Sequence, residues 1–242
     1  MKKRTPAVLL LILCLLLTAA AGCSGKPSET SSGQSDQSGA PTYTEVIKNN
    51  DIVGTDGNVL VKCTLAYPEF DSDVLNGIVA AYVRSFSDAA AGSAADAAAN
   101  DLYVFEYTYT CKVLACTAKM VSLRIEEYVF MGGAHGSTNF YGLVLEPETG
   151  ASISPAQLLG MSDADAMAAV RQAFLDLIAT DTEQKYFYPD AAELLDGILE
   201  KGMPTCYVES GMAVFVIQTY DIASYAAGPQ SVALPLGGAF AG

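Results

Sequence analysis

The chain has 242 residues, of which 27 are Asp or Glu and 13 are Lys or Arg, so its formal net charge at pH 7 is −14. This length allows one large domain or two small ones, each with a hydrophobic core. The acidic balance disfavours nucleic acid and anionic lipid as partners and attracts basic ones, although the same charge can serve solubility alone.

The N-terminus has the layout of a secretory signal. Three basic residues at positions 2–4 precede an apolar run over residues 7–17, and small residues then lead to Cys23. The run is about half as long as a membrane-spanning helix requires, so we expect no permanent transmembrane segment. Gly22 before Cys23 fits the processing site of bacterial lipoproteins, in which the cysteine is lipidated. We predict a signal peptide over residues 1–22 and export to the outer face of a bacterial membrane, with Cys23 as the lipid anchor. The alternative is an ordinary signal that leaves Cys23 unmodified.

Residues 23–42 have the composition of a flexible tether. After Cys23 the segment lacks aromatic and branched aliphatic residues and consists mostly of Ser, Gly, Pro and polar residues. Such a segment cannot bury enough apolar surface to offset the entropy lost on folding. We therefore expect it to hold the folded part away from the membrane.

Four cysteines remain in the folded part, namely Cys63, Cys111, Cys116 and Cys206. Export makes them candidate disulfide partners, and spacing cannot choose among the three pairings that four cysteines allow. A Cys111–Cys116 bridge requires a hairpin turn at Val113–Leu114. With a turn at Thr117–Ala118 instead, the two cysteines share a strand and face opposite ways. The short paired spacings of a four-cysteine zinc site are absent, so we predict no metal.

Strand and helix patterns alternate along the first half of the folded part. Residues 43–70 predict two strands joined by a turn at Thr55–Asn58, with the second strand ending at Pro68. Apolar residues at helical spacing then predict a helix over residues 71–86, capped by Asp71 or Ser72. An alanine-rich segment continues this helix, with stops at Gly92 and Asn100.

The second half predicts further strands and helices. Residues 102–131 and 137–146 have the alternation of an antiparallel meander, and a short connector follows at 152–160. Helices are predicted over residues 161–180, with Ser162 and Asp165 resembling a capping box, and over 190–202, with Gly202 as C-cap. A hairpin turning at Glu209–Gly211 and a last strand at 230–236 follow. The pattern predicts an α+β fold of antiparallel sheets with helices packed on them.

The only histidine of the chain, His135, lies among glycines in "MGGAHGSTNFYG", residues 131–142. Ser137 is two residues away, but on a strand the two Cα atoms are about 6–7 Å apart, and no strained elbow frames the serine. The segment also lacks the ligand spacings of a metal site and the lysine of a phosphate-binding loop. We therefore predict no catalytic constellation, no metal and no cofactor, and hence no enzyme.

The glycines have a structural interpretation. Gly132, Gly133 and Gly136 permit positive φ angles and a close approach of the backbone where one strand passes to the next. We expect His135 to pack there and to donate a hydrogen bond to a neighbouring carbonyl.

Three segments together resemble RsiV-like and PdaC-like extracytoplasmic domains. They are "VKCTLAYPEF…LNGIVAAY", "YVFMGGAHGSTNFYGLVLEPETGASISPAQLL" and "FVIQTYDIASYAAGPQSVALPL", and they span most of residues 43–236. The last contains a "YxIAxYAxGP" motif with Tyr220, Tyr225 and Gly228.

The resemblance implies two α+β lobes, a PdaC-like lobe over residues 43–149 and an RsiV-like lobe over residues 150–242. Such modules form the outer sensor part of anti-sigma factors, where they bind lysozyme, or lie beside deacetylase domains that act on peptidoglycan. We expect a non-enzymatic envelope module that binds lysozyme, another basic protein or cell-wall glycan. The alternatives are an accessory factor or enzyme of peptidoglycan processing, and a structural lipoprotein without a specific ligand.

Overall fold

The computed structural model describes residues 32–33, 39–100 and 102–241. The predicted signal peptide, Cys23 and most of the predicted tether lie outside the described residues. Two residues of the tether form a short strand, β1 (Ser32–Gly33), which pairs with Tyr43 and Thr44. In the part of the chain that the structure describes, no helix is long and apolar enough to cross a membrane.

The elements of the first half are β2 (Tyr43–Asn49), β3 (Ile52–Val53), β4 (Val59–Phe70), α1 (Asp73–Gly92), α2 (Ala94–Ala98), β5 (Phe105–Cys116), β6 (Val121–Phe130) and β7 (Ser137–Leu145). Those of the second half are α3 (Pro155–Leu159), α4 (Asp163–Ala179), α5 (Ala191–Leu199), β8 (Thr205–Glu209), β9 (Met212–Ile217) and β10 (Gln230–Pro235). Short 3₁₀ turns at Tyr225–Ala227 and Gly238–Phe240 complete the order.

The first sheet has the strand order β1-β2-β4-β5-β6-β7, with β3 also paired to β4. Helix α1 covers one face, and its apolar stripe includes Leu75, Val79 and Phe86, which are buried in one cluster with the inward residues of the sheet. Strands β4 and β5 are parallel, because the helical connection through α1 and α2 returns the chain in its original direction. All other strand pairs of this sheet are antiparallel among the described residues.

The second sheet is antiparallel, in the order β10-β9-β8, and packs against α3, α4 and α5. Its core holds Phe174 and Leu195 from the helices, Phe215 and Ile217 from β9, and Ile222. The prediction of an α+β fold, with mainly antiparallel sheets, packed helices and two lobes, is thus confirmed.

Several local predictions hold. Ser72 is the N-cap of α1, and its hydroxyl accepts a hydrogen bond from the backbone N–H of Leu75 at 3.4 Å. Ser162 caps α4 in the same way through the N–H of Asp165. The β8–β9 hairpin turns at Ser210 and Gly211, whose φ angles of +52° and +76° are typical of a two-residue hairpin turn.

Three boundaries differ from the prediction. Strand β4 continues through Pro68 to Phe70. Because β5 pairs with β4 only up to Ala66, the missing N–H of Pro68 does not remove a hydrogen bond between these two strands. Helix α5 ends at Leu199, with Gly202 two residues beyond its C-cap. The predicted connector at 152–160 contains α3, which begins with a complete capping box.

The lobes meet where β8 crosses the first sheet on the face away from α1. Val144 and Met120 of the first lobe are buried against Ile153, Leu158 and Val208 in a shared apolar cluster. The backbones of β7 and β8 lie close together at Gly142. A Cβ at Gly142 would lie 2.0 Å from the carbonyl oxygen of Cys206, so only glycine fits this position.

The outer edge of β7 is occupied by groups of the second lobe. The side-chain amide of Gln218 donates to the carbonyl of Phe140 at 2.7 Å and accepts from the N–H of Phe140 at 2.9 Å. The N–H of Gly142 donates to the hydroxyl of Thr205 at 2.6 Å. Further along, the N–H of Ile153 donates to the carbonyl of Val144 at 2.8 Å.

The four cysteines are free thiols in the structure. Cys111 and Cys116 share β5, as expected for the later turn, but a bulge between Val113 and Ala115 places both on the core side of the sheet. The expectation that they face opposite ways is therefore wrong. Their partners on β6 are four residues apart, which corresponds to about 13 Å along the strand and is too far for a bridge.

Candidate functional site

The loop between β6 and β7 projects His135 outward. Gly132 and Gly133 have φ angles of +96° and +94°, which favour glycine. A Cβ at Gly132 would lie 2.8 Å from the ring of Tyr103, and one at Gly136 would lie 2.3 Å from the ring of Tyr128. At Gly132 and Gly136 the backbone of the loop therefore lies in close contact with two tyrosine rings.

A segment of the second lobe reaches the same place. After β9 the chain passes through Tyr220, whose φ of +74° is unusual for a residue with a side chain. Ile222 and Ala223 are then fully buried, and Ala223 is bridged to Phe187. These anchors leave Tyr220 and Tyr225 projecting outward, with 53% and 42% of their surface exposed.

The two motifs meet around the imidazole. The rings of His135 and Tyr225 stack with centroids 3.8 Å apart and an interplanar angle of 19°. Nδ1 of His135 lies 2.9 Å from the carbonyl oxygen of Gly136, and Nε2 lies 3.3 Å from the hydroxyl of Tyr220. The hydroxyl of Tyr225 donates to the same Gly136 carbonyl at 3.3 Å.

These contacts define which nitrogen of the neutral imidazole carries the proton. A carbonyl oxygen can only accept, so the Nδ1 of His135 must carry the proton that it shares with Gly136. Nε2 then holds the lone pair, which accepts the hydrogen bond from the Tyr220 hydroxyl. The prediction that His135 donates to a neighbouring carbonyl agrees with this geometry.

A cleft of about 220 Å³ opens beside this cluster. Its lining consists of apolar, aromatic and hydroxyl-bearing residues from both lobes: Val129, Met131, Gly132, His135, Gly136, Ser137, Thr138, Thr219, Tyr220 and Tyr225. Among these ten residues there is no Asp, Glu, Lys, Arg or Cys. The cleft therefore offers ring faces and neutral hydrogen-bonding groups to a ligand.

The polar groups of the site make contacts within the protein. Both ring nitrogens of His135 make contacts within the protein, Nδ1 with the carbonyl of Gly136 and Nε2 with the hydroxyl of Tyr220. Ser137 belongs to β7, where it pairs with Val129 of β6. Within residues 32–33, 39–100 and 102–241, no three His, Cys, Asp or Glu side chains form a group that could hold a metal ion.

The structure brings five of the residues singled out from the sequence into this cleft: Gly132, His135, Gly136, Tyr220 and Tyr225. Gly133 and Gly228 shape the adjoining turns instead, each with a positive φ angle. Cys63, Cys111, Cys116 and Cys206 lie in the cores and not at the cleft.

Sequence reasoning missed Thr138 and Thr219, which line the cleft. It also treated the two motifs separately, since nothing in the sequence between His135 and Tyr220, which are 85 positions apart, indicates that they meet. The only available signal was that each motif combines glycine with aromatic residues.

Comparison with known proteins supports the fold assignment. The family model described as Deacetylase PdaC matches residues 55–138, about a third of the chain. A DUF3298-family protein from Bacteroides fragilis has a crystal structure that superposes with a TM-score of 0.50, at 14% identity, over 84% of this chain and 96% of that one. This likeness concerns the fold alone.

A DUF3298-family protein from Pseudomonas aeruginosa is similar over 81% of this chain and 88% of that one, at 18% identity and a TM-score of 0.49. A search of curated proteins gives no match. The chain thus carries a PdaC-type domain match and has structural neighbours in the DUF3298 family.

Proposed function

We propose that this chain is a non-enzymatic binding module of the bacterial cell envelope, anchored by a lipid on Cys23, and that the cleft beside His135 holds its ligand. The observation that carries the proposal is the exposed aromatic cleft itself. It is assembled from both lobes, both nitrogens of its histidine make contacts within the protein, and its lining offers ring faces and hydroxyl groups with no Asp, Glu, Lys, Arg or Cys.

The envelope location rests on the sequence. A basic start, an apolar run and Gly22-Cys23 precede a polar, glycine- and serine-rich segment. A tether of this composition would let the folded part reach ligands at some distance from the membrane. The first half of the proposal is tested by labelling with a radioactive fatty acid in a bacterial host. If the wild-type protein is labelled and Cys23→Ser is not, the result supports a lipid anchor on Cys23. Equal labelling of the two proteins contradicts it.

A basic protein such as lysozyme is the ligand that the charge favours. Residues 163–201, which include α4 and α5, contain nine acidic and three basic residues. A surface of this sign attracts a cationic protein and speeds its encounter. The resemblance to RsiV-like domains points to the same partner.

The experiment is calorimetric titration of lysozyme into residues 24–242, which keep every residue that the structure describes. Titrations are made at low and physiological salt, with the wild type and with Tyr225→Ala. Tyr186→Ala is the matched control, because Tyr186 is 56% exposed and does not line the cleft.

Binding that survives physiological salt and is weakened by Tyr225→Ala alone supports lysozyme as the ligand of the cleft. Binding that disappears at physiological salt, or that both variants weaken equally, contradicts it, because a screened surface attraction is then sufficient.

A peptidoglycan-processing role is the second candidate, favoured by the description of the family model that matches residues 55–138. It is tested by acetate release from N-acetylated cell-wall glycan, with His135→Asn as the variant. We expect no release above background. Release that is lost in a folded His135→Asn protein would replace the binding proposal by an enzymatic one.

A further inference from the structure

We infer that the cleft beside His135 takes one uncharged pyranose ring of a glycan, with the ring of Tyr220 as the surface on which the sugar stacks. The inference rests on the proposed function, in which this cleft is the ligand site. It names the chemical class of the ligand and the residue that determines its binding.

The size of the cleft limits the ligand. Its volume of about 220 Å³ is below the range of about 300–1,000 Å³ that is common for drug-sized ligands. A single pyranose ring fits inside such a space, whereas a protein ligand such as lysozyme would cover the opening of the cleft. A longer glycan would place one of its sugars in the cleft and extend outward on either side.

The hydrogen-bonding groups suit a sugar. The hydroxyls of Tyr220 and Tyr225 donate inward, to His135 and to the carbonyl of Gly136, respectively. Both phenol oxygens therefore keep lone pairs that can accept from a ligand hydroxyl. Ser137, Thr138 and Thr219 add hydroxyls that donate or accept. Sugar hydroxyls do both, and the C–H face of a pyranose is apolar enough to lie on an aromatic ring.

The lack of positive charge at the site disfavours anionic ligands. Phosphate, sulfate and carboxylate groups require cationic or dipolar partners, and no Lys or Arg is among the residues that line the cleft. The whole chain, with a net charge of −14, also repels acidic polymers. An uncharged sugar meets neither obstacle.

Tyr220 is held in place at a conformational cost. Its φ of +74° is unfavourable for a side chain of this size, and 53% of its surface is exposed, so burial does not compensate the strain. The buried Ile222 and Ala223 and the hydrogen bond to His135 maintain the conformation. Its effect is to present an aromatic ring at the mouth of the cleft.

The test uses residues 24–242 and two uncharged probes, the tetrasaccharides of β-1,4-linked N-acetylglucosamine and of β-1,4-linked glucose. His135 is the only histidine, so the Cε1–H proton of its imidazole gives one NMR signal that reports on the cleft. The chain has 13 Tyr and no Trp, so tyrosine fluorescence gives a second readout free of tryptophan emission.

We expect at least one tetrasaccharide to shift the His135 signal saturably. Tyr220→Ala should weaken binding at least tenfold, whereas Tyr220→Phe, which keeps the ring, should weaken it less than threefold. Tyr186→Ala, an equally exposed tyrosine outside the cleft, should leave binding unchanged. Thermal unfolding of each variant tests whether the fold is kept. If Tyr220→Ala does not fold, the effect on binding is measured with Tyr220→Phe instead.

Other outcomes overturn the inference. No shift of the His135 signal with either probe up to about 10 mM excludes a glycan of this kind. Equal weakening by Tyr220→Ala and Tyr186→Ala removes the cleft as the site. If lysozyme binds at the cleft and the sugars do not, the proposed binding function stands and the sugar inference fails. If neither binds, both fail.

Discussion

The hydroxyl of Tyr220 lies 3.3 Å from Nε2 of His135, and this contact joins two motifs that are 85 residues apart in the chain. One motif is the loop between two strands of the first sheet, and the other follows β9 of the second sheet. The stacking of His135 on Tyr225 reinforces the junction. The cleft therefore exists only while the two lobes are docked, so the ligand binding that we propose requires the packing of the lobes.

Replacing His135 by Ala should destabilise the fold by about 1–2 kcal/mol. A stacked aromatic pair contributes roughly 0.5–1.5 kcal/mol, and an exposed hydrogen bond adds less than about 1 kcal/mol. Urea unfolding measures the change. His135→Phe keeps the stacking and should recover about half of the loss. An unfolding free energy that is the same for wild type and His135→Ala would show that the ring does not hold the lobes together.

Gly142→Ala should be strongly destabilising, by about 3 kcal/mol or more, because the added methyl would overlap the carbonyl of Cys206 and neither backbone can move away. Gly77→Ala is the matched control. Gly77 lies inside α1 with open space around its Cβ position, so the same substitution should stabilise by about 0.5–1 kcal/mol. Thermal unfolding compares the two variants. A mild effect at Gly142 would contradict the close approach of β7 and β8.

Residues 24–242 purified without reductant should contain four thiols. Alkylation in denaturant followed by mass spectrometry should add four groups, and a disulfide would leave two or four cysteines unmodified. In the folded protein the thiols should react slowly. Burial raises the pKa of Cys111 and of Cys206 to about 12, so almost no thiolate is present near pH 8. Cys116, which is half-buried, should react first, and Cys116→Ser should remove that first step.

Asp181 should stabilise the fold at neutral pH and not in acid. Its carboxylate accepts hydrogen bonds from the backbone N–H groups of Tyr186, Phe187 and Lys185, which lowers its pKa. A lowered pKa gives stability that is present above the unfolded value, near 4, and is lost as the pH falls through the folded value. Asp181→Asn should therefore unfold more easily than wild type at pH 7.

The difference between Asp181→Asn and wild type should shrink as the pH falls below the unfolded pKa, near 4, and through the lowered pKa of the folded state. Asp88→Asn, the same change at an exposed position of α1, is the control and should have little effect at either pH. Urea unfolding at several pH values provides the comparison. A difference that stays constant with pH would mean that the side-chain amide replaces the carboxylate equally well.

The elements that local patterns specify could be predicted from the sequence. Ser72 and Ser162 cap their helices, and the hairpin turns at Ser210 and Gly211, because capping and turn geometry depend on a few neighbouring residues. The course of β4 through Pro68 could not be predicted, since it depends on where the neighbouring strand stops.

Several residues of the cleft could be predicted from the sequence, but their meeting in one site could not. The residues of both motifs were recognised, and the hydrogen bond of His135 to a carbonyl was expected. Their meeting depends on the docking of β8 across the first sheet, which the small size of Gly142 permits and no sequence period encodes. The bulge at Val113–Ala115 is a similar case, because one extra residue reverses the side on which Cys116 lies.

The occupied edge of β7 has a consequence for the association of the protein with other chains. An edge strand normally leaves backbone groups with which another chain can pair, which is a route to aggregation. Here Gln218 acts as a single-residue partner for Phe140, and Thr205 and Ile153 engage the next groups along the strand. The second lobe thereby protects the first from intermolecular strand pairing. A chain whose lobes separated would expose unpaired backbone groups along β7 and would lose its cleft at the same time.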